Sequence, residues 1–208
     1  MTENTAVSLE IGAFGWDRAD WVGSFYPADL PVEWRLTYYA NEFDAVLIPA
    51  DLWESEAASH VEAWCEDVSG RFRFFAELGT SQVDGARRRW VMSRLDALGE
   101  TLHGLVLRTP ADAPHGLVRE LRDRYPGKAL VVDDAGEAGL PRLWRPGILE
   151  GAGPIGLARF DAPPQAMELR KVLGSFLTAS PGPERALFLD APHETIETAG
   201  TLARLLGY

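Results

Sequence analysis

The stretch "GAFGWDRADWVGSFYPADLP", residues 12–31, joins an apolar run to a segment crowded with aromatic and acidic side chains. The run begins earlier, as "VSLEIGAFG" over residues 7–15, and it is more continuous than alternating. Such a run predicts a β-strand that is covered on both faces. The aromatic residues that follow it predict either the wall of a pocket or the packing that closes one end of a barrel.

The same unit, an apolar run followed by an amphipathic stretch, recurs along the whole chain. Alternation of this kind predicts parallel strands joined by right-handed helical crossovers. The six further runs lie at residues 44–50, 72–78, 102–109, 128–134, 155–161 and 185–191. Between them, apolar residues follow the helical spacing i, i+3, i+4, i+7. Examples are Leu36 to Phe43, Val61 to Val68, Leu169 to Phe176 and Ala199 to Leu206.

Two architectures fit this order of elements, a TIM-barrel-like (β/α) barrel and an open doubly wound sheet. The chain of 208 residues is close to the lower limit of about 200 residues for a complete barrel. Seven strands are predicted, and residues 135–154 are rich in Gly and Pro. We therefore expect one TIM-barrel-like domain over residues 1–208, incomplete or irregular within 135–154.

The charge of the chain narrows the range of partners. The formal net charge is −11, so the protein repels nucleic-acid phosphates and anionic lipids, and neither is expected as a partner. The arginines of "ARRRW", residues 86–90, are interpreted as a solvated helix face. No apolar run reaches the roughly 20 residues of a membrane span, and the first residues lack the features of a signal peptide. These features predict a cytoplasmic protein.

The N-terminal stretch resembles the start of the YecE-like family, domain of unknown function 72. The resemblance rests on two groups of residues. The first comprises Gly15-Trp16, Trp21, Phe25-Tyr26-Pro27 and Leu30-Pro31, and the second comprises Leu36, Tyr38, Tyr39, Ala40 and Phe43. The family has a TIM-barrel-type fold, so the resemblance implies that fold here. The family has no settled activity, so the resemblance implies no particular reaction.

The chain departs from the polar residues of that family at several strand ends. Leu47 and Pro49 stand where the family has Glu and Asn, and Glu77 stands where it has Lys. Arg159 is kept, but the His of the same motif is replaced by Asp161. The final Asn-Asn pair is Asp190-Ala191 here. The resemblance is therefore to a shortened, divergent member that has lost most of the usual polar site.

The candidate site lies at the C-terminal ends of the strands, which form the functional face of a barrel. The acids expected there are Asp17, Asp51, Glu77, Asp133 or Asp134, Asp161 and Asp190. Converging carboxylates fit a divalent cation, or general acid/base chemistry on a sugar. Each acid also fits a helix N-cap. The histidines have no metal-ligand spacing, and neither a metal nor a cofactor is assigned.

Two functions remain open at this point. In the first, the barrel is a scaffold that binds a small ligand or a protein partner, which the lost family residues favour. In the second, it is a hydrolase or isomerase that acts on a small sugar-like ligand. Glu77 and Asp190 would then be the acid and base, Trp16 and Trp53 would stack on the substrate, and Arg159 would orient it. Arg159 needs an acidic partner, for which Glu77, Asp161 and Asp190 are the candidates. Trp16, Trp53, Glu77, Arg159 and Asp190 are expected to border a single concavity.

Overall fold

Eight parallel strands close into a barrel in a computed structural model that describes residues 7–55, 60–82, 85–108, 115–133 and 140–208. Each strand pairs with its neighbours in chain order, and the last strand pairs with the first. The TIM-barrel-like fold is thereby confirmed. The strands are β1 (Ser8–Phe14), β2 (Ala45–Ile48), β3 (Arg73–Gly79), β4 (Leu102–Arg108), β5 (Ala129–Val132), β6 (Arg142–Trp144), β7 (Ala152–Arg159) and β8 (Glu184–Asp190).

Helices cover the outside of the barrel between most consecutive strands. They are α1 (Arg35–Ala40), α2 (Val61–Asp67), α3 (Gly85–Leu98), α4 (His115–Arg124), α5 (Ala166–Ala179) and α6 (His193–Leu205). Short 3-10 turns supplement them, among them Ala50–Glu54 after β2. None of the helices over the described ranges has the length and apolar character needed to cross a membrane.

The prediction of seven strands and an incomplete barrel was wrong, because β6 closes the ring. This strand has three residues, too few to produce a recognisable apolar run or period. The expected irregularity is nevertheless present in the same region. One registered pair, Val132 with Arg142, joins β5 to β6, and the register between β6 and β7 shifts. Residues 140–151, outside β6, form turns and extended segments with no helix, while residues 135–139 lie outside the described ranges.

Side chains alternate between the barrel interior and the layer beneath the helices. Phe75, Ile155 and Phe188 are among the residues that fill the interior. The outer layer holds the larger cluster, including Trp53, Trp64 and much of the helices' apolar surface. Because both faces of each strand are buried, the strand sequences are continuous apolar runs and not alternating ones.

The contact between β1 and β2 depends on a glycine and a tyrosine. A Cβ atom on Gly12 would lie 2.1 Å from the carbonyl oxygen of Ala45, so no larger residue fits there. The buried Tyr39 hydroxyl of α1 accepts a hydrogen bond from the amide of Ala13 (2.9 Å) and donates one to the carbonyl of Ala45 (2.7 Å). Helix α1 is thus tied to two neighbouring strands. The C-terminal ends of these two strands lead into segments that carry expected site residues, Trp16 and Asp17 after β1 and Asp51 and Trp53 after β2.

Candidate functional site

A cavity of about 360 Å³ opens at the C-terminal ends of β1, β2 and β8. We call it the mouth cavity. The loop after β1 supplies one wall, the 3-10 turn Ala50–Glu54 supplies the next, and the end of β8 supplies the third. The residues that line the cavity include Phe14, Trp16, Asp17, Arg18, Asp51 and Asp190.

Four of the residues expected at the site line this cavity. They are Trp16, Asp17, Asp51 and Asp190. The other expected site residues, Trp53, Glu77, Asp133, Arg159 and Asp161, do not line it, and Asp134 lies outside the described residues. The expected single concavity therefore holds Trp16 and Asp190, but not Trp53, Glu77 or Arg159.

Asp190 binds two arginines at the edge of the mouth cavity. Its Oδ1 lies 2.5 Å from Nη1 of Arg18, and its Oδ2 lies 3.4 Å from Nε of Arg159. Asp190 is thus the acidic partner that Arg159 was predicted to need. The Arg159 guanidinium also lies 5.7 Å from the centre of the Phe14 ring, which is a cation–π contact. Asp190 therefore holds two cations at one side of the cavity.

The remaining carboxylates of the cavity differ in their partners. Asp17 Oδ1 lies 2.5 Å from Nη1 of Arg35 in α1, whereas Asp51 is exposed to solvent in its 3-10 turn. Arg35 and Arg159 lie outside the cavity lining but pair with Asp17 and Asp190, and Arg18 also contacts Asp20 at 3.0 Å. The cavity therefore presents carboxylate acceptors beside guanidinium donors, with the carboxylates in excess.

Glu77 lies beneath the mouth rather than in the cavity. Its side chain is 1% exposed; Oε2 accepts a hydrogen bond from the amide of Ala50 (3.1 Å) and lies 3.5 Å from Nη1 of Arg108. Oε1 is buried and has no hydrogen-bond partner among the described residues. Burial raises the pKa of this carboxyl group, and the Ala50 amide and Arg108 only partly offset that effect. A substrate has no direct access to Glu77 in this arrangement.

A second set of charges continues from Glu77 around the barrel. Nε of Arg108 lies 3.5 Å from Oδ2 of Asp133, and Asp133 Oδ1 lies 2.8 Å from both Nε and Nη2 of Arg145. The series links the ends of β3, β4 and β5 to the residue after β6. It satisfies buried charge at this side of the barrel and holds Arg108 over Glu77.

The expected aromatic stacking wall is wrong for Trp53. Its side chain is 0% exposed, and its indole Nε1 donates a hydrogen bond to the carbonyl of Glu77 (2.9 Å). Trp16 is 4% exposed and packs edge-on against Trp64 at 4.9 Å between ring centres. Both indoles therefore fill the layer beneath the helices, as in the alternative interpretation that the aromatics close the barrel end. Phe14 is the aromatic ring that borders the cavity from inside the barrel.

The alternative of helix caps does not explain Asp161 or Asp190. The N-caps of α5 and α6 are Gln165 and Pro192, and neither helix start has a side-chain cap hydrogen bond. Asp161 is exposed in a bend after β7. Over the ranges described, no group of three or more His, Cys, Asp or Glu residues is arranged to hold a metal ion.

Sequence reasoning missed Phe14, Arg18 and Arg145. Phe14 is the last residue of β1, and its position two residues after Gly12 puts it on the inward face; that period was the available signal. Arg18 and Arg145 lie in loops, where no periodicity indicates the direction of a side chain.

Comparisons with known proteins agree with this fold. A family model described as "Protein of unknown function DUF72" matches residues 10–125. Two crystal structures of a DUF72 family protein from Enterococcus faecalis V583 are similar. One has a TM-score of 0.60 at 11% identity and covers 99% of this chain and 100% of its own. The other has a TM-score of 0.59 at 10% identity and covers 95% and 96%. At these identities the likeness shows the fold alone. No curated protein matches the chain.

Proposed function

This chain belongs to the DUF72 family of proteins of unknown function, and from that premise we propose that it binds a small, uncharged, sugar-like ligand in the mouth cavity. The role is that of a binding scaffold and not of a catalyst. The ligand lies between the ends of β1, β2 and β8, with Phe14 against its apolar face.

The presence of both acceptors and donors in the mouth cavity carries this proposal. Asp17, Asp51 and Asp190 supply acceptors, and Arg18 supplies donors beside them. Vicinal hydroxyl groups both donate and accept, so a polyol satisfies such a surface without bringing a charge of its own. Asp190 is already held in place by Arg18 and Arg159, which pre-organises the cavity and lowers the cost of binding.

The burial of Glu77 is the reason for favouring binding over catalysis. A general acid must come within hydrogen-bond reach of the atom that it protonates. Glu77 lies under Arg108 and is 1% exposed, and both oxygens of Asp190 face guanidinium groups. The predicted acid/base pair therefore lacks an accessible acid.

Acid/base hydrolysis of a sugar is the second candidate. The observation in its favour is that three carboxyl groups, those of Asp17, Asp51 and Asp190, border one cavity. Glycosidases use two carboxyl groups on opposite sides of the scissile bond. In this chain Asp51, which is exposed, would replace Glu77 in the pair.

A thermal-shift and titration series with three matched probes tests the binding proposal. Glucose is the neutral probe, glucosamine the cationic one and glucose phosphate the anionic one, each at low millimolar concentration to avoid general stabilisation by polyols. We expect glucose to bind most tightly. Asp190→Asn should weaken it by about tenfold or more, since one charge-assisted hydrogen bond is worth about 1.5 to 3 kcal/mol.

Asp161→Asn is the matched control, because Asp161 is exposed and does not line the mouth cavity. This variant should bind glucose as the wild type does. Absence of glucose binding, or equal binding by the Asp190 and Asp161 variants, would overturn the proposal. Release of nitrophenol from nitrophenyl glycosides by the wild type, abolished in Asp51→Asn, would instead establish the second candidate.

A further inference from the structure

A second cavity lies at the opposite, N-terminal end of the barrel and has a volume of about 480 Å³. Small inward residues create this space. Ala129 of β5 and Ala186 of β8 belong to the interior and line the cavity. Barrel interiors are usually filled by bulky branched side chains, so these two alanines leave space at the N-terminal end of the interior. We call this space the base cavity.

The floor of the base cavity is apolar. A Cβ atom on Gly104 would lie 2.7 Å from the Phe75 ring and 2.8 Å from Cδ1 of Ile155, so these two side chains meet across the barrel axis above Gly104. Both line the cavity, and Phe75 packs against Phe188 at 4.9 Å between ring centres. An aromatic or branched aliphatic group that enters from the N-terminal end therefore meets an apolar surface.

Three cationic side chains line the base cavity, those of Arg73, Lys128 and Arg185. Arg185 donates hydrogen bonds to the carbonyl oxygens of Gly182 (2.9 Å) and Leu177 (2.6 Å), and Arg73 contacts Glu10 through Nη1 at 3.1 Å. Nζ of Lys128 lies 3.5 Å from the carbonyl oxygen of Glu100 and 3.9 Å from its Oε2. Glu184 is the carboxylate on the rim, and it is exposed. In a chain with a net charge of −11, three cations beside an apolar cavity are a local exception.

We propose that the base cavity binds a small molecule with an apolar, ring-sized body and one anionic group. The body lies against Phe75 and the half-buried Ala129 and Pro154, and the anionic group meets Lys128 and Arg73 at the rim. Burial of the body supplies most of the affinity, and a charge-assisted hydrogen bond to Lys128 supplies the selection for an anion. This site is independent of the mouth cavity and does not rest on its ligand.

A pair of fluorescent probes tests both parts of the proposal. Anilinonaphthalene sulfonate has an aromatic body and a sulfonate, whereas N-phenylnaphthylamine has nearly the same body and no charge. We expect the folded protein to bind the sulfonate at one site, about tenfold more tightly than the neutral probe, which corresponds to one charge-assisted hydrogen bond.

Two variants locate the probe. Ala129→Phe places a ring in the cavity and should abolish saturable binding of both probes. Lys128→Gln should weaken the sulfonate about fivefold and leave the neutral probe unchanged. Lys171→Gln is the matched control, because Lys171 is exposed on α5; Arg159→Gln controls for binding at the other end of the barrel, since Asp190 keeps its contact with Arg18 in that variant. Both controls should bind like the wild type.

The proposal fails if the wild type binds neither probe at a saturable site. It also fails if Lys128→Gln and Lys171→Gln bind the sulfonate equally, or if Arg159→Gln weakens it as much as Lys128→Gln does. Should Ala129→Phe not fold, as judged by circular dichroism, the comparison of the two lysine variants decides alone.

Discussion

At the scale of single residues, the Tyr39 hydroxyl forms hydrogen bonds with backbone groups of two neighbouring strands. It accepts from the amide of Ala13 and donates to the carbonyl of Ala45 while it is itself completely buried. Tyr39→Phe would leave both backbone groups unpaired in the interior, and each unpaired group costs about 1 to 3 kcal/mol. We expect Tyr39→Phe to lower the free energy of unfolding by about 2 to 4 kcal/mol in urea titrations. Tyr38→Phe, on a half-buried neighbour, is the control and should lose less than half as much.

The buried Glu77 carboxyl group makes the free energy of unfolding depend on pH. The sign of this dependence follows from the direction of its pKa shift. Burial raises its folded-state pKa above the ordinary value of 4.5. As pH rises through 4.5, the unfolded chain releases this proton and the folded chain keeps it, so the unfolded state binds fewer protons and stability falls. The decline continues until pH passes the raised folded-state pKa. Glu77→Gln removes this contribution, so the variant should gain stability relative to the wild type as pH increases from 4.5.

Urea titrations from acidic to neutral pH measure this difference. Glu168→Gln, at an exposed position on α5, makes the same chemical change without burial. If the Glu77 and Glu168 variants both follow the wild-type pH profile at a constant offset, burial does not disfavour ionisation of Glu77.

At the scale of elements, β6 shows where a sequence pattern fails. The other seven strands are continuous apolar runs because helices or their connections cover one face and the interior covers the other. Strand β6 has only Arg142, Leu143 and Trp144, and a three-residue segment between prolines and glycines has no measurable period. Its existence follows from the need to close the ring between β5 and β7, which is a tertiary constraint and not a local one.

Trp144 is the side chain that fixes β6 to the outer layer. It is completely buried and contacts Phe176 of α5 at 5.2 Å between ring centres. Trp144→Ala should cost about 3 to 5 kcal/mol of unfolding free energy, as for other large-to-small changes in a core. Trp144→Phe should cost much less, because the indole Nε1 has no hydrogen-bond partner among the described residues. Urea unfolding followed by far-ultraviolet circular dichroism distinguishes them, and equal losses would contradict this account of the contact.

The elements of the site were predictable, but the depth of each side chain was not. The predicted runs over residues 7–15, 44–50 and 185–191 indicate which residues reach the C-terminal face, and the mouth cavity forms there, at the ends of β1, β2 and β8. A strand that is apolar on both faces has no alternation to tell inward from outward. For that reason the sequence did not reveal that Glu77 is sealed beneath Arg108 or that Trp53 points into the outer layer.

At the scale of the whole molecule, the barrel depends on its last strand. Strand β8 pairs with β1 over Ser8–Ala13 and with β7 over Ile155–Arg159. A truncated chain of residues 1–183 would expose two strand edges and the apolar interior. We expect it to lose cooperative thermal unfolding and near-ultraviolet circular dichroism. That residues 1–208 form one domain stays a prediction, and a truncated chain that still unfolds cooperatively would contradict it.

The single registered pair between β5 and β6 has a kinetic consequence. Backbone amides exchange with deuterium when local hydrogen bonds open, and the cost of opening is lowest where the fewest bonds must break together. Peptides that cover Arg142–Trp144 should therefore take up deuterium well before those that cover β1 and β8, which share six registered pairs. The barrel should open at this seam while the rest of the ring stays closed, and uniform exchange across all eight strands would show that the ring opens only as a whole.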